Sequence, residues 1–246
     1  DTLEVLDYRN PSDFNNGNCT DHEGRIIRCQ HGLRRVIREE KNGEITVIAD
    51  NYNDKKLNSP NDVVVSKLGN IWFTDPPYGI LTNQEGHKSE SEQDGNNLFM
   101  VDKDFKIKKI NAKFDKPNGL AFSPNGKYLY VADSGAANPG NFDLSRPHNI
   151  QVFELDDDEN IISNKIFAEI NDGFPDGMTV DVNGNLFVCD PNGEKIHIFE
   201  SSSNYIGNIN IPERVANCTF GGENKTDLYI TASTSLFRIK TLTQGL

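Results

Sequence analysis

Residues 116–133 of the chain read KPNGLAFSPNGKYLYVAD, and the same pattern returns twice with small changes. Residues 59–75 read SPNDVVVSKLGNIWFTD, and residues 174–190 read FPDGMTVDVNGNLFVCD. In each copy an Asn or Asp precedes a short apolar segment, a turn glycine follows eight residues later, and a second apolar segment ends in Asp. The pattern predicts a repeated β-hairpin that always begins with the same kind of polar side chain.

Two less regular copies extend the repeat toward both ends of the chain. The first residues of the five copies are 45, 57, 58 and 41 residues apart and are Asn16, Asn61, Asn118, Asp176 and Asn217. Repeats of about 40–50 residues with short strands are typical of the blades of a β-propeller. Helical periodicity is nearly absent, so we expect an all-β fold with little helix.

The expected number of blades is inferred from the residues that precede the first copy of the repeat. Only an outer strand, over Thr2–Asp7, is predicted before it. We therefore expect residues 1–246 to form a single domain, a six-bladed β-propeller that lacks most of its N-terminal first blade. A closed five-bladed ring is the alternative. We also predict that the acidic run over Asp156–Asn160 is a solvated hairpin tip.

Composition excludes some partners and leaves other properties open. The formal net charge is −12, which argues against nucleic acid as a partner. No apolar run reaches the length of a membrane span. A cytoplasmic or a periplasmic location, and a monomer or a homodimer, are all compatible with the sequence.

The cysteines give little evidence of a metal site or a crosslink. The four of them form no Cys-x-x-Cys pair, so we expect no structural zinc. Cys19 and Cys29 are expected on adjacent strands of one hairpin as buried thiols, and a disulfide between them is the alternative.

The repeat brings polar side chains to one end of a central channel. Each first residue stands just before an inner strand, and the second strand returns to the same end. The last residues of these second strands are His31, Asp75, Asp133 and Asp190. Together they predict an acidic pocket whose oxygen donors suit Ca²⁺, Mg²⁺ or Mn²⁺. The alternative explanation is that Asn and Asp occur here only as turn formers.

The repeated stretches resemble a known family. Residues 57–65, 71–79, 116–124, 174–178 and 217–222, together with residues 29–36, resemble the gluconolactonase branch of the family that includes regucalcin (senescence marker protein) and luciferin-regenerating enzyme. The resemblance implies a six-bladed propeller that holds one divalent cation at the channel floor. Ca²⁺ is the expected ion, with Mg²⁺, Mn²⁺ or Zn²⁺ as alternatives.

The resemblance also implies roles for individual residues. Asn118 and Asp176 would be metal ligands, and Asn61 would be a further ligand or a substrate contact. Asp176 would also be the catalytic carboxylate. A remaining ligand of the family is a Glu in a Glu-Gly-Pro motif, and that motif is not present in this sequence.

We therefore expect the hydrolysis of a sugar lactone to the aldonic acid, with Asp176 as the general base. The substrate ring would be bound by Asn61, His31 and Asp75, with Tyr78 from the adjoining loop. Two alternatives stay open. One is a metal-dependent hydrolase of phosphotriesters or fluorophosphates, and the other is a non-catalytic propeller that binds a ligand or a protein.

Overall fold

The computed structural model describes residues 6–138 and 141–246. Within these residues the main strands form five antiparallel sheets that follow one another along the chain. Four sheets have four strands and the last has three. Contacts between consecutive inner strands arrange the sheets around a central channel, as the blades of a β-propeller. The predicted all-β propeller is confirmed.

Blades 1 and 2 occupy the first part of the chain. The strands of blade 1 are β1 (Asn15–Thr20), β2 (Ile26–Gln30), β3 (Arg35–Glu39) and β4 (Ile45–Ala49). A short ribbon follows, made of β5 (Asn51–Tyr52) and β6 (Lys55–Lys56). The elements of blade 2 are β7 (Val63–Val65), β8 (Ile71–Asp75), a helix α1 (Tyr78–Leu81), β9 (Asn97–Val101) and β10 (Ile107–Lys109).

Blades 3 to 5 complete the described chain. Blade 3, with a short ribbon between its second and third strands, contains β11 (Pro117–Phe122), β12 (Tyr128–Asp133), β13 (Ala137–Asn138), β14 (Asn141–Phe142), β15 (Asn149–Leu155) and β16 (Ile161–Glu169). Blade 4 contains β17 (Met178–Val180), β18 (Leu186–Asp190), β19 (Lys195–Phe199) and β20 (Tyr205–Asn210). Blade 5 contains β21 (Val215–Gly221), β22 (Asp227–Ala232) and β23 (Leu236–Lys240).

The five sequence repeats correspond to the first hairpins of the five blades. In the first hairpins of blades 1 to 4 the turn glycine has a φ between 75° and 86°, as tight hairpins require, at Gly24, Gly69, Gly126 and Gly184. The only helix among the described residues is α1, with four residues, and no helix there is long and apolar enough to cross a bilayer.

The hydrophobic core lies between neighbouring sheets. In the described residues it consists of four clusters, one for each pair of consecutive blades. Strand β8 shows how one strand serves two clusters. Trp72 packs with Leu129 of blade 3, whereas the next residue, Phe73, packs with Ile27 of blade 1. This follows from the alternation of side chains across a strand.

The described residues contain five blades, not the six that we predicted. The expected outer strand over Thr2–Asp7 falls largely outside the described residues. Leu6 and Asp7, which are described, do not belong to a strand. All four cysteines are unpaired thiols; Cys29 is buried as expected, whereas Cys19 is half-buried.

The acidic run between β15 and β16 differs from our prediction of a solvated tip. Its other residues are exposed, but Glu159 is buried and reaches blade 2. The Glu159 carboxylate accepts hydrogen bonds from the indole N–H of Trp72 at 3.3 Å, from Asn70 Nδ2 at 2.9 Å and from the backbone N–H of Leu68 at 3.4 Å. The reason is that a buried indole N–H needs an acceptor, and the hairpin of the next blade supplies it.

Glu159→Ala should therefore destabilise the protein by about 2–4 kcal/mol, because it leaves buried donors of blade 2 without an acceptor. Urea unfolding followed by the emission of Trp72, the one tryptophan of the sequence, measures the change. Asp158→Ala on the same hairpin is the matched control. Equal stability of the two variants would refute a role for Glu159 in joining blades 2 and 3.

Candidate active site

A cavity of about 860 Å³ lies along the channel where the inner strands of the five blades meet. The first residue of every sequence repeat lines it. These hub residues are Asn16, Asn61, Asn118, Asp176 and Asn217. The structure thus brings together the five side chains that the repeat spacing predicted to meet, while their chemical roles stay predictions.

In blades 3 and 4 the hub residue is followed by a glycine that packs against the next blade. A β-carbon on Gly119 would lie under 3.0 Å from the backbone carbonyl oxygen of Asp176. A β-carbon on Gly177 would lie equally close to the side chain of Asn217. Neither glycine has a φ in the left-handed region. Close approach of the blades, and not a turn, requires glycine here, which argues against the turn-former explanation.

Blade 2 has Asp62 at the position where blades 1, 3 and 4 have glycine. The backbone of Gly17 in blade 1 packs against Asp62, which lines the cavity and is buried. Asp62 Oδ1 accepts a hydrogen bond from the backbone N–H of Val63 at 2.9 Å. Burial raises the pKa of Asp62 to about 6. The sequence analysis missed this residue, although its signal was visible as a departure from the glycine that follows Asn16, Asn118 and Asp176.

Asp176 and Asn118 meet across the boundary between blades 3 and 4. Burial, and then the charge of Asp62, raise the pKa of Asp176 to about 7, while the Asn118 amide beside the carboxyl lowers it. Asp176 is held in place by its backbone N–H, which donates to the carbonyl of Cys189 at 2.8 Å. A carboxyl whose pKa lies near neutrality can accept and return a proton around pH 7.

Tyr78, at the start of α1, lines the same cavity. Its hydroxyl is buried beside the side chains of Ser134 and Asn118, and none of the described residues forms a well-aligned hydrogen bond with it. Burial and the charge of Asp176 raise the pKa of Tyr78, so the hydroxyl stays protonated. A buried polar group without a partner costs free energy, and a bound ligand would supply the missing partner.

The Asp residues that end the second strands hold the chain just ahead of the hub residues. Asp75 Oδ2 accepts a hydrogen bond from the backbone N–H of Asn58 at 2.8 Å. Asp133 Oδ1 accepts one from the backbone N–H of Lys116 at 2.9 Å. In blade 4, Asp190 accepts a backbone hydrogen bond in the same way. These carboxylates therefore fix the loops from which the hub side chains project.

Two predicted substrate contacts, Asp75 and His31, are not among the described residues that line the cavity. Asp75 is fully buried, and burial raises its pKa to about 7. His31 is also buried, with Nε2 3.1 Å from Asn16 Nδ2 and Nδ1 3.1 Å from the carbonyl oxygen of Glu85. Both side chains are directed to other parts of the protein, so the structure gives no support to a direct contact between either residue and the substrate.

The donors at the hub are of the kind that hard cations prefer. The described residues contain no group of three or more His, Cys, Asp or Glu that could hold a metal ion. The hub instead combines the amide oxygens of Asn61 and Asn118 with the carboxylate of Asp176, from three consecutive blades. Amide and carboxylate oxygens bind Ca²⁺ and Mg²⁺, so the residues present fit a divalent cation of this class.

Comparison with known proteins identifies the relatives of this chain. Residues 4–234 match the family described as the SMP-30/Gluconolactonase/LRE-like region. The chain is 35% identical over 249 residues to the gluconolactonase of Zymomonas mobilis, covering 97% of this chain and 65% of the relative. It therefore spans less than two thirds of the length of that protein.

Two solved structures have a similar fold. The Xanthomonas campestris protein XC5397, described as a gluconolactonase, superposes with a TM-score of 0.82 at 31% identity, over 93% of this chain and 72% of that chain. The calcium-binding protein regucalcin from Agrobacterium tumefaciens superposes with a TM-score of 0.73 at 17% identity, over 94% of this chain and 77% of that chain. The second likeness shows the fold alone.

The buried His31 should make stability depend on pH. Burial lowers the pKa of His31 from 6.5 to about 4. As the pH falls from 6.5 to 4 the unfolded chain binds a proton that the folded protein does not, so folding weakens by up to about 3 kcal/mol. His31→Gln should lose this part of the acid dependence, measured by urea unfolding at several pH values.

The exposed His22 provides the control, since His22→Gln should keep the pH dependence of the wild-type protein. An unchanged slope in His31→Gln would show that His31 is protonated in the folded protein above pH 4.

Proposed function

This chain belongs to the SMP-30/gluconolactonase/LRE-like family, and we propose that it hydrolyses the ring ester of a sugar lactone to the aldonic acid. The main support for this proposal is that the Asn118 amide and the Asp176 carboxyl lie beside each other on the wall of the hub cavity. The names of the Zymomonas and Xanthomonas relatives support the same reaction.

We further propose that Asn118, Asp176 and Asn61 hold one divalent cation, Ca²⁺ in the first place and Mg²⁺, Mn²⁺ or Zn²⁺ as alternatives. When bound, such an ion would supply Lewis-acid polarisation of the ester carbonyl. The support is the oxygen-rich donor set, in which two amides and one carboxylate come from three consecutive blades.

Asp176 acts as the general base in this proposal. It takes a proton from the water that attacks the carbonyl carbon, which requires an ionised carboxyl, and a bound cation would favour that form. The bond between the carbonyl carbon and the ring oxygen then breaks, and Asp176 returns the proton to the departing ring oxygen. One water is consumed, and the products are a carboxylic acid and a free hydroxyl group.

Tyr78 and Asn61 bind the substrate ring. The Tyr78 hydroxyl, which is buried beside Ser134 and Asn118, stays protonated and has a proton to donate to a ring oxygen. The Asn61 side chain faces the same cavity. His31 and Asp75 do not line the cavity. Through their hydrogen bonds they position the segments that carry Asn16 and Asn61.

The proposal also concerns the domain to which this chain belongs. We propose that residues 1–246 belong to one propeller domain. The superposition on XC5397 supports this, because it covers 93% of this chain.

Asp176→Asn should lower kcat/KM on glucono-δ-lactone by about 10³-fold, because the amide keeps the shape of the carboxyl but cannot accept the proton. A pH-stat assay of the wild-type and variant proteins measures the loss. Asp172→Asn, an exposed change on the preceding loop, is the control and should keep wild-type rates. Asp176→Asn with at least a tenth of the wild-type kcat/KM would refute the assigned role.

The same assay separates the rival functions. A wild-type protein that hydrolyses a phosphotriester faster than the lactone would favour the phosphotriester hydrolase. A wild-type protein without activity on either substrate would favour a propeller that only binds its ligand.

A further inference from the structure

The loop between α1 and β9, residues 82–96, is attached by hydrogen bonds to neighbouring segments of blade 2. The backbone N–H of Ser89 donates to the carbonyl of Ile80 at 3.1 Å, and the hydroxyl of Ser91 donates to Asn58 Oδ1 at 2.6 Å. These bonds attach the loop to α1 and to the segment ahead of Asn61. The loop therefore has a defined position relative to the cavity.

Glu85 is the loop residue whose backbone is fixed by His31. Nδ1 of His31 lies 3.1 Å from the carbonyl oxygen of Glu85, and because a carbonyl can only accept, this nitrogen carries the proton. The other ring nitrogen then accepts from Asn16 Nδ2 at 3.1 Å. One buried ring thus connects the hub of blade 1 to the backbone of Glu85.

The next residue, Gly86, holds the same point of the loop against α1. A β-carbon on Gly86 would lie under 3.0 Å from the carbonyl oxygen of Gly79, so the two backbones touch. Gly79 itself receives support from Ser59, whose hydroxyl oxygen accepts from its backbone N–H at 2.9 Å. Two independent contacts therefore fix Glu85 beside Tyr78.

The Glu85 side chain is turned toward the cavity. It lines the cavity together with Tyr78 and Asp176. No described residue donates a hydrogen bond to its carboxylate, whereas Glu92 and Asp94 of the same loop are paired with Arg34 and Lys109. Glu85 is exposed as a whole, yet enough protein surrounds its carboxyl for burial to raise its pKa.

We propose that Glu85 is a specificity-determining residue whose carboxylate accepts hydrogen bonds from ring hydroxyl groups of a polyhydroxylated lactone. This inference rests on the proposed lactone hydrolysis. A lactone without ring hydroxyls offers no donor and leaves the carboxylate unpaired beside the bound ring. Sites with a polar group of this kind discriminate strongly against analogues that lack the matching hydroxyl.

Binding of two lactams, which resist hydrolysis, tests the proposal without reference to turnover. Glucono-δ-lactam carries the ring hydroxyls, and δ-valerolactam has the same ring without them. Isothermal titration calorimetry should give the wild-type protein a preference of about tenfold or more for glucono-δ-lactam, the range expected for a hydrogen bond to a charged group. Glu85→Ala should lose most of this preference, and Glu85→Gln should lie between the two.

Glu90→Gln is the matched control, since Glu90 is exposed on the same loop and does not line the cavity. It should bind both lactams like the wild-type protein. The proposal is overturned if Glu85→Ala keeps the preference within twofold, if Glu90→Gln loses as much, or if the wild-type protein shows no preference.

Turnover of glucono-δ-lactone by the same proteins separates this inference from the proposed function. A preference that depends on Glu85, in a protein that does not hydrolyse the lactone, supports the contact and contradicts the reaction. Hydrolysis that is equally fast in wild type and Glu85→Ala, with an unchanged KM, supports the reaction and contradicts the contact.

Discussion

At three boundaries, between blades 1 and 2, 3 and 4, and 4 and 5, the blades approach so closely at the hub that a β-carbon has no room between them. Gly119 packs on the backbone of Asp176, and Gly177 packs on the side chain of Asn217. This contact, repeated from blade to blade, sets the distance between the hub residues and gathers their amide and carboxyl groups around one cavity.

Several buried Asp residues lie close to the hub but do not line the cavity. Their role is to accept hydrogen bonds from backbone N–H groups of the adjoining loops. In blades 2, 3 and 4 the first strand begins after a loop with N–H groups that lack a strand partner. The buried Asp at the end of the second strand accepts hydrogen bonds from them, as Asp75 does for Asn58 and Asp133 does for Lys116. Carboxylates used in this way position the hub. The carboxylates that line the cavity belong to different residues, Asp62, Glu85 and Asp176.

The sequence predicted the parts of the molecule that repeat. The strand patterns and turn glycines gave the blades and the five hub residues, because equivalent positions in repeats occupy equivalent places. What the sequence did not predict depends on contacts between repeats. Glu159 reaches blade 2 from a turn that looked solvated, Asp62 replaces a glycine, and Glu85 comes from a loop outside the repeat. The sequence placed His31 and Asp75 at the correct end of their strands. It did not predict the direction of their side chains, because that depends on contacts with loop N–H and carbonyl groups that no sequence pattern shows.

The central claim is that the hub residues of adjacent blades share one cation. Titration of the metal-free protein with Mn²⁺, followed by electron paramagnetic resonance, measures this directly, because free and bound Mn²⁺ give different signals. The account predicts one site per chain in the wild-type protein, loss of that site in Asn118→Ala and in Asp176→Asn, and competition by Ca²⁺. Binding with unchanged stoichiometry and affinity in both variants, or no binding by the wild-type protein, would contradict it.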